Sequence, residues 1–97
     1  MPFAIVLAPE AVEDLRRLTA NVRATVRNAL ETHLRYEPAK VSRSRIKRLR
    51  GVLRPQYRLR VDEVRVSYDV SGAIVEVLAI VAKSEADAWL AQFADPE

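Results

Sequence analysis

Tyr57-Arg58-Leu59-Arg60-Val61-Asp62-Glu63-Val64-Arg65-Val66-Ser67-Tyr68-Asp69-Val70 is the stretch that decides how this 97-residue chain folds. Apolar and polar residues alternate on both sides of Asp62-Glu63, the period of a half-buried strand. The acidic pair reads as the turn of a hairpin. A turn there puts Val61 opposite Val64, Arg60 opposite Arg65 and Arg58 opposite Ser67, and a longer loop centred on the same pair keeps that register. Tyr57, Leu59, Val61, Val64, Val66 and Tyr68 then share an apolar face for helices to cover. Arg58, Arg60 and Arg65 share the other. Like charges directly opposite each other destabilise a sheet. Folding gains nothing from the placement, so it points to an anion site. The alternative is relief by Glu76 on the next strand, or by Asp62 and Glu63.

Downstream, Ser71-Gly72 marks a turn and Ala73–Val81 is nearly all apolar, as a strand covered on both faces would be. Ser84 starts a last helix, with Asp87 three residues on and a buried stripe of Ala86, Trp89, Leu90 and Phe93. Asp95-Pro96-Glu97 reads as a frayed end. Upstream, Lys40–Gly51 is a basic linker that Ile46 and Leu49 anchor to the core. Phe3–Leu7 is a short strand. Pro9 and Glu10 open a helix with Ala11, Leu15 and Leu18 on its buried face. Asn21 is placed to cap a second helix, whose stripe is Val22, Val26, Ala29, Leu30 and Leu34. Glu37-Pro38 ends it.

The expected architecture is α+β. An N-terminal strand and an antiparallel helical hairpin pack on one face of a mainly antiparallel, twisted sheet of about four strands, with a short C-terminal helix. One domain fills residues 1–94, and 95–97 fray.

Hydrophobic residues make up 49% of the chain and charged residues 30%, which excludes a disordered chain. With no cysteine and a single histidine, His33, a disulfide framework and a thiolate or histidine metal site are not expected. His33 lies beside the second helical stripe and reads as structural. The N-terminus has no basic segment before its apolar run, and no apolar run reaches membrane length, so the expected location is cytoplasmic. The charge is uneven. From Arg35 to Arg65 eleven basic residues stand against three acidic ones, a net of +8 in a chain whose total is +3. Such a segment, rich in arginine, fits a polyanion partner; a solvated loop or an acidic protein surface are the alternatives.

Leu49-Arg50-Gly51, the hairpin strands and Val75–Val81 together resemble the RelE/ParE superfamily of type II toxin–antitoxin toxins. The resemblance runs from Phe3 to about Leu90. It implies a RelE-like fold and two activities, ribosome-dependent mRNA cleavage in the RelE-like branch and inhibition of DNA gyrase in ParE-like proteins. It implies a cognate antitoxin, with ribosome and mRNA as targets of the nuclease, and no cofactor. In the RelE-like branch the site is a set of basic residues on the open sheet face, one more after the last strand, and a tyrosine on the terminal helix. By position, Arg58, Arg60 and Arg65 correspond to the first set and Lys83 to the next. Trp89 falls where the family has tyrosine, so the aromatic shape is kept and the hydroxyl lost. Arg58 and Arg60 stand where the family usually has lysine and Lys83 where it has arginine, while Arg65 keeps the family's arginine.

Chemically, Arg58, Arg60 and Arg65 suit the clamping of a phosphorane, and they suit proton transfer badly because arginine stays charged. Lys83 is the expected proton-transfer residue. Trp89 reads either as core or as a platform for a base. Arg43, Arg45, Lys47, Arg48, Arg50 and Arg54 precede the hairpin without alternation and are assigned to phosphate contacts away from the scissile bond. An attenuated toxin homologue acting as a binding module remains a further alternative.

Overall fold

The computed structural model describes residues 1–97. Its elements in chain order are β1 (Ala4–Leu7), α1 (Pro9–Arg17), α2 (Ala20–Leu34), β2 (Ile46–Arg48), β3 (Val52–Arg54), β4 (Tyr57–Val61), β5 (Val64–Ser71), β6 (Ile74–Ala82), a 3-10 turn (Lys83–Glu85), α3 (Ala86–Phe93) and β7 (Asp95–Pro96). The main sheet runs β1-β6-β5-β4-β2. β1 lies parallel to β6, and the other pairs are antiparallel.

The hairpin has the expected register. Arg60 pairs with Arg65, Arg58 with Ser67 and Val61 with Val64. Asp62, the first turn residue, takes the left-handed backbone (φ 51°) that a two-residue loop requires there. Leu59, Val61, Val64, Val66 and Tyr68 are buried beneath the helices, which contribute Ala11, Leu15, Val26, Leu30 and Leu34 to the same core. Tyr57 packs against that core and its ring stacks on Tyr68 at 5.5 Å between centroids. The Tyr68 hydroxyl donates to the Pro38 carbonyl, so the buried phenol is satisfied. Burial holds this phenol above its ordinary range, with the Tyr57 side chain adding to the shift.

β6 carries a bulge. Ser67 pairs with Ala79 but Tyr68 with Val77, so Leu78 is the extra residue. The bulge shifts the parity, and Val75, Val77 and Ile80 all reach the helix side. The Ile80 N–H, next to the irregularity, donates to the carboxylate of Asp14 on α1. Two arginines tie the helices down. Arg23 donates to the carbonyls of Leu15, Arg16 and Leu18, satisfying the open end of α1. Arg35 pairs with Glu31 and donates to the Phe3 carbonyl, joining the end of α2 to the start of β1.

Several expectations are corrected. The main sheet, expected to have about four strands, has five, because Ile46–Arg48, expected inside a linker, forms the edge strand β2 on β4. Ile46 and Leu49 are buried as anticipated. Asp95–Pro96 does not fray but pairs with β3 as a separate two-stranded sheet. The cap of α2 is Thr19, whose hydroxyl accepts from the Val22 N–H, rather than Asn21. Ser84 lies inside the 3-10 turn, and α3 has no side-chain cap. On α3 only Ala86 is buried. Trp89 and Leu90 are half-buried, and Phe93 is 58% exposed. No helix is long and apolar enough to cross a membrane.

Candidate functional site

β2 changes how the basic residues are arranged. Its register sets Ile46 opposite Leu59, Lys47 opposite Arg58 and Arg48 opposite Tyr57. Ile46 and Arg48 therefore share the helix side of the sheet, and Lys47 shares the outer side with Arg58. Arg45 extends the pairing by one residue: the Arg60 N–H donates to its carbonyl, and its guanidinium donates to the Arg60 carbonyl. Two lateral rows result, Arg45–Arg60–Arg65 and Lys47–Arg58–Ser67, each crossing β4 to β5. Ser42 holds the approach to β2 by accepting the N–H groups of Arg45 and Ile46 on its hydroxyl. Arg43 and Ser44 line the same cleft as the rows.

These residues line a cleft of about 130 Å³ formed by Ser42–Lys47, Arg58, Arg60 and Arg65. The volume is well under the few hundred Å³ of a pocket that encloses a small molecule. It suits one phosphate group of an extended strand. Arg43, Arg45, Lys47, Arg60 and Arg65 take part in none of the chain's ion pairs. Arg65, only 9% exposed, rests instead on the carbonyls of Asp62 and Val64. Burial lowers its pKa first, and the charges of Arg60 and Arg58 lower it further, but a guanidinium still stays protonated. None of the three carboxylates considered for relief, Glu76, Asp62 and Glu63, forms an ion pair with the rows; the charge of Glu63 offsets part of the repulsion on Arg65 without contacting it. Glu76 is engaged by Arg54.

Arg58 has one counter-ion, Asp87 on α3, at 3.3 Å. The carboxylate is 97% exposed while the arginine is 16% exposed, so the pair is screened and easily exchanged for another anion. Sequence reasoning placed Asp87 in a helix cap, and the only signal for its real contact is that it lies on the helix following β6. Ser42 and Ser44 were also missed; an alternating Ser-Arg-Ser-Arg run is the one hint of them.

Three residues assigned to phosphate contacts lie elsewhere. Arg54 donates to Asp69 at 2.6 Å and to Glu76 at 2.9 Å, and both carboxylates raise its pKa. Arg48 lies over the Tyr57 ring, 5.0 Å from its centre, on the helix side. Arg50 is exposed after β2, outside the cleft lining. Arg43, Arg45 and Lys47, by contrast, join the hairpin arginines directly, so the sequence boundary between linker and hairpin is no boundary in space.

Lys83 is exposed and does not line the cleft; its N–H donates to the Glu63 carbonyl beside the hairpin turn. Trp89 lies 5.6 Å from Phe93 between ring centres and lines a separate cavity of about 300 Å³ with Pro55 and Leu78. His33 shares a cavity with Arg45, Lys40 and Ser42, closer to the basic loop than its sequence position suggests. A larger concavity, about 640 Å³, lies at the other end of the sheet beside Val6, Arg54, Asp69 and Glu76. Its single arginine is shared between two carboxylates, so no free positive charge remains there, whereas the small cleft holds cations without partners.

No family model matches the sequence, and no curated relative matches it. Solved structures do resemble it. The RelBE2 toxin–antitoxin complex of Mycobacterium tuberculosis contains a chain 24% identical, at TM-score 0.70, with 84% of this chain and 99% of that one covered. A mutant of the E. coli toxin RelE in the free state is 20% identical at TM-score 0.68, covering 92% of each. The RelB–RelE antitoxin–toxin complex of Methanococcus jannaschii contains a chain 18% identical at TM-score 0.67, covering 87% of this chain and 96% of that one. The chain therefore has the RelE-like fold that its hairpin led us to expect.

Proposed function

We propose that this chain is the toxin of a type II toxin–antitoxin pair and that it acts as a metal-independent endoribonuclease on mRNA at the ribosome. The observation that carries the reading is the pair of cationic rows, Arg45–Arg60–Arg65 and Lys47–Arg58, gathered on one sheet face and left almost without carboxylates. An arrangement that weakens the sheet is explained if a phosphodiester supplies the missing negative charge. The donor set is also wrong for a hard cation, which needs oxygen ligands. Resemblance to chains crystallised as toxin–antitoxin complexes supports the antitoxin as partner.

RNA cleavage without a metal requires attack by the 2′-hydroxyl, stabilisation of the charge that gathers on phosphorus, and protonation of the leaving 5′-oxygen. Arg60 and Arg65 face the same phosphate-sized cleft from opposing strands and supply the second requirement. Arg58 joins them by exchanging Asp87 for a phosphate oxygen. Arg43 and Arg45 hold the strand on either side. The exposed surface around the cleft is compatible with a large ribonucleoprotein target, where the message is already extended.

One observation favours binding without cleavage. Trp89, standing where the resembled toxins carry tyrosine, faces Phe93 in a different cavity from the basic rows. Primer extension on mRNA from induced cells separates the readings. Codon-phased cuts that vanish in Arg60→Gln support the nuclease; growth arrest with DNA-damage signalling and intact message supports gyrase, and no arrest supports a binding module.

A further inference from the structure

We infer that Lys47 is the catalytic residue that protonates the leaving oxygen, an assignment that rests on the ribonuclease reading. Of the six basic side chains lining the cleft, five are arginines, which do not give up a proton under ordinary conditions. Lys47 is the sixth. The Ser42 hydroxyl already accepts two backbone N–H groups, so its orientation is committed to the loop.

The strand pairing brings the ammonium to the site. Lys47 stands directly opposite Arg58, and directly opposite residues in an antiparallel pair hold their Cβ atoms about 5 Å apart. Arg60 and Arg65 lie on the adjoining row of the same face. A phosphate gripped by Arg58, Arg60 and Arg65 is thus within the sweep of the flexible lysine arm. No carboxylate pairs with Lys47 to hold it elsewhere, whereas Lys40 pairs with Glu37. The remaining lysine, Lys83, is outside the lining of the cleft.

The 2′-oxygen forms a bond to phosphorus and its proton passes to solvent water. The bond from phosphorus to the 5′-oxygen breaks, and its electron pair takes the proton of the Lys47 ammonium. The products are a 2′,3′-cyclic phosphate and a free 5′-hydroxyl, and the lysine amine recovers its proton from water. Arginine at this position would keep the charge and the grip on phosphate while removing the transferable proton.

The test is single-turnover cleavage by the full chain on programmed ribosomes at saturation. One message carries the ordinary 5′-oxygen at the cleavage site, and the other a bridging 5′-sulfur that departs as a thiolate without needing a proton. Lys47→Arg should lose about 100-fold or more on the oxygen message and recover most of it on the sulfur message. Ribosome binding should stay within about threefold, because the charge remains. Lys47→Met should show the same sulfur rescue, and thermal melting of both variants verifies their folding. Full activity of Lys47→Arg on oxygen overturns the assignment, as does equal loss on both messages or a sulfur rescue shown by Lys83→Met instead. A wild-type chain that cuts neither message overturns the ribonuclease reading and the assignment with it.

Discussion

Replacing Arg60 with glutamine should make the protein more stable and biologically inert. Arg60 is exposed, lies opposite Arg65 and beside Arg45, and has no carboxylate within ion-pairing distance. At a separation of about 6 Å two positive charges repel by about 0.7 kcal/mol in bulk water and about 2.8 kcal/mol at an effective dielectric of 20. Cross-strand pairs measured in host sheets fall between about 0.2 and 1 kcal/mol, so relief of about 0.5–1 kcal/mol is expected. In a domain of this size that raises the melting midpoint by about 2–6 °C. The assay is thermal unfolding of wild type and variant at low salt, in about 1 M sodium chloride, and with added inorganic phosphate. Screening shortens to about 3 Å at the higher salt, so the gap between the two proteins should shrink there. Phosphate should stabilise the wild type more than the variant, because it binds the folded cleft. Arg65→Ala is a less clean probe, since it strips the Asp62 and Val64 carbonyls of their donor. A variant less stable than wild type at every salt concentration, or a gain indifferent to salt, would refute the electrostatic account of the cleft.

Asp69→Ala should cost about 2–3 kcal/mol, because it orphans the Gln56 N–H and leaves Arg54 with Glu76 alone; chemical denaturation with an unchanged m-value checks it. Asp69→Asn should recover part of that loss by keeping an acceptor. His33 has its pKa lowered by burial first and by the charge of Arg45 second. Its contribution to stability is therefore intact above the unfolded histidine value near 6.5 and is lost as pH falls through the lower folded value. His33→Gln should flatten the decline in melting temperature below pH 6.5, and an unchanged slope would count against that origin.

The hairpin was legible in the chain itself because everything that sets it is local. Period-2 alternation assigns each side chain to a face, the turn residues fix the register, and no distant partner is needed to place Arg60 against Arg65. The stripes of α1 and α2 were legible for the same reason, since Ala11, Leu15, Val26, Leu30 and Leu34 follow helical spacing. Tertiary pairing decided the rest. Ile46-Lys47-Arg48 is too short to show a period, and it is a strand only because β4 offers an open edge to it. That pairing sends Lys47 to the cleft and Arg48 to Tyr57, a distinction that composition cannot make. Arg54 looked like its basic neighbours until the fold brought up Asp69 and Glu76, 15 and 22 residues away. Trp89 and Phe93 had the spacing of a buried stripe, yet α3 covers the sheet too sparingly to bury them. The sequence alone determined that positive charge would collect on one face of a hairpin. Which of those charges are free to hold an anion depended on where distant carboxylates, ring faces and strand edges came to rest.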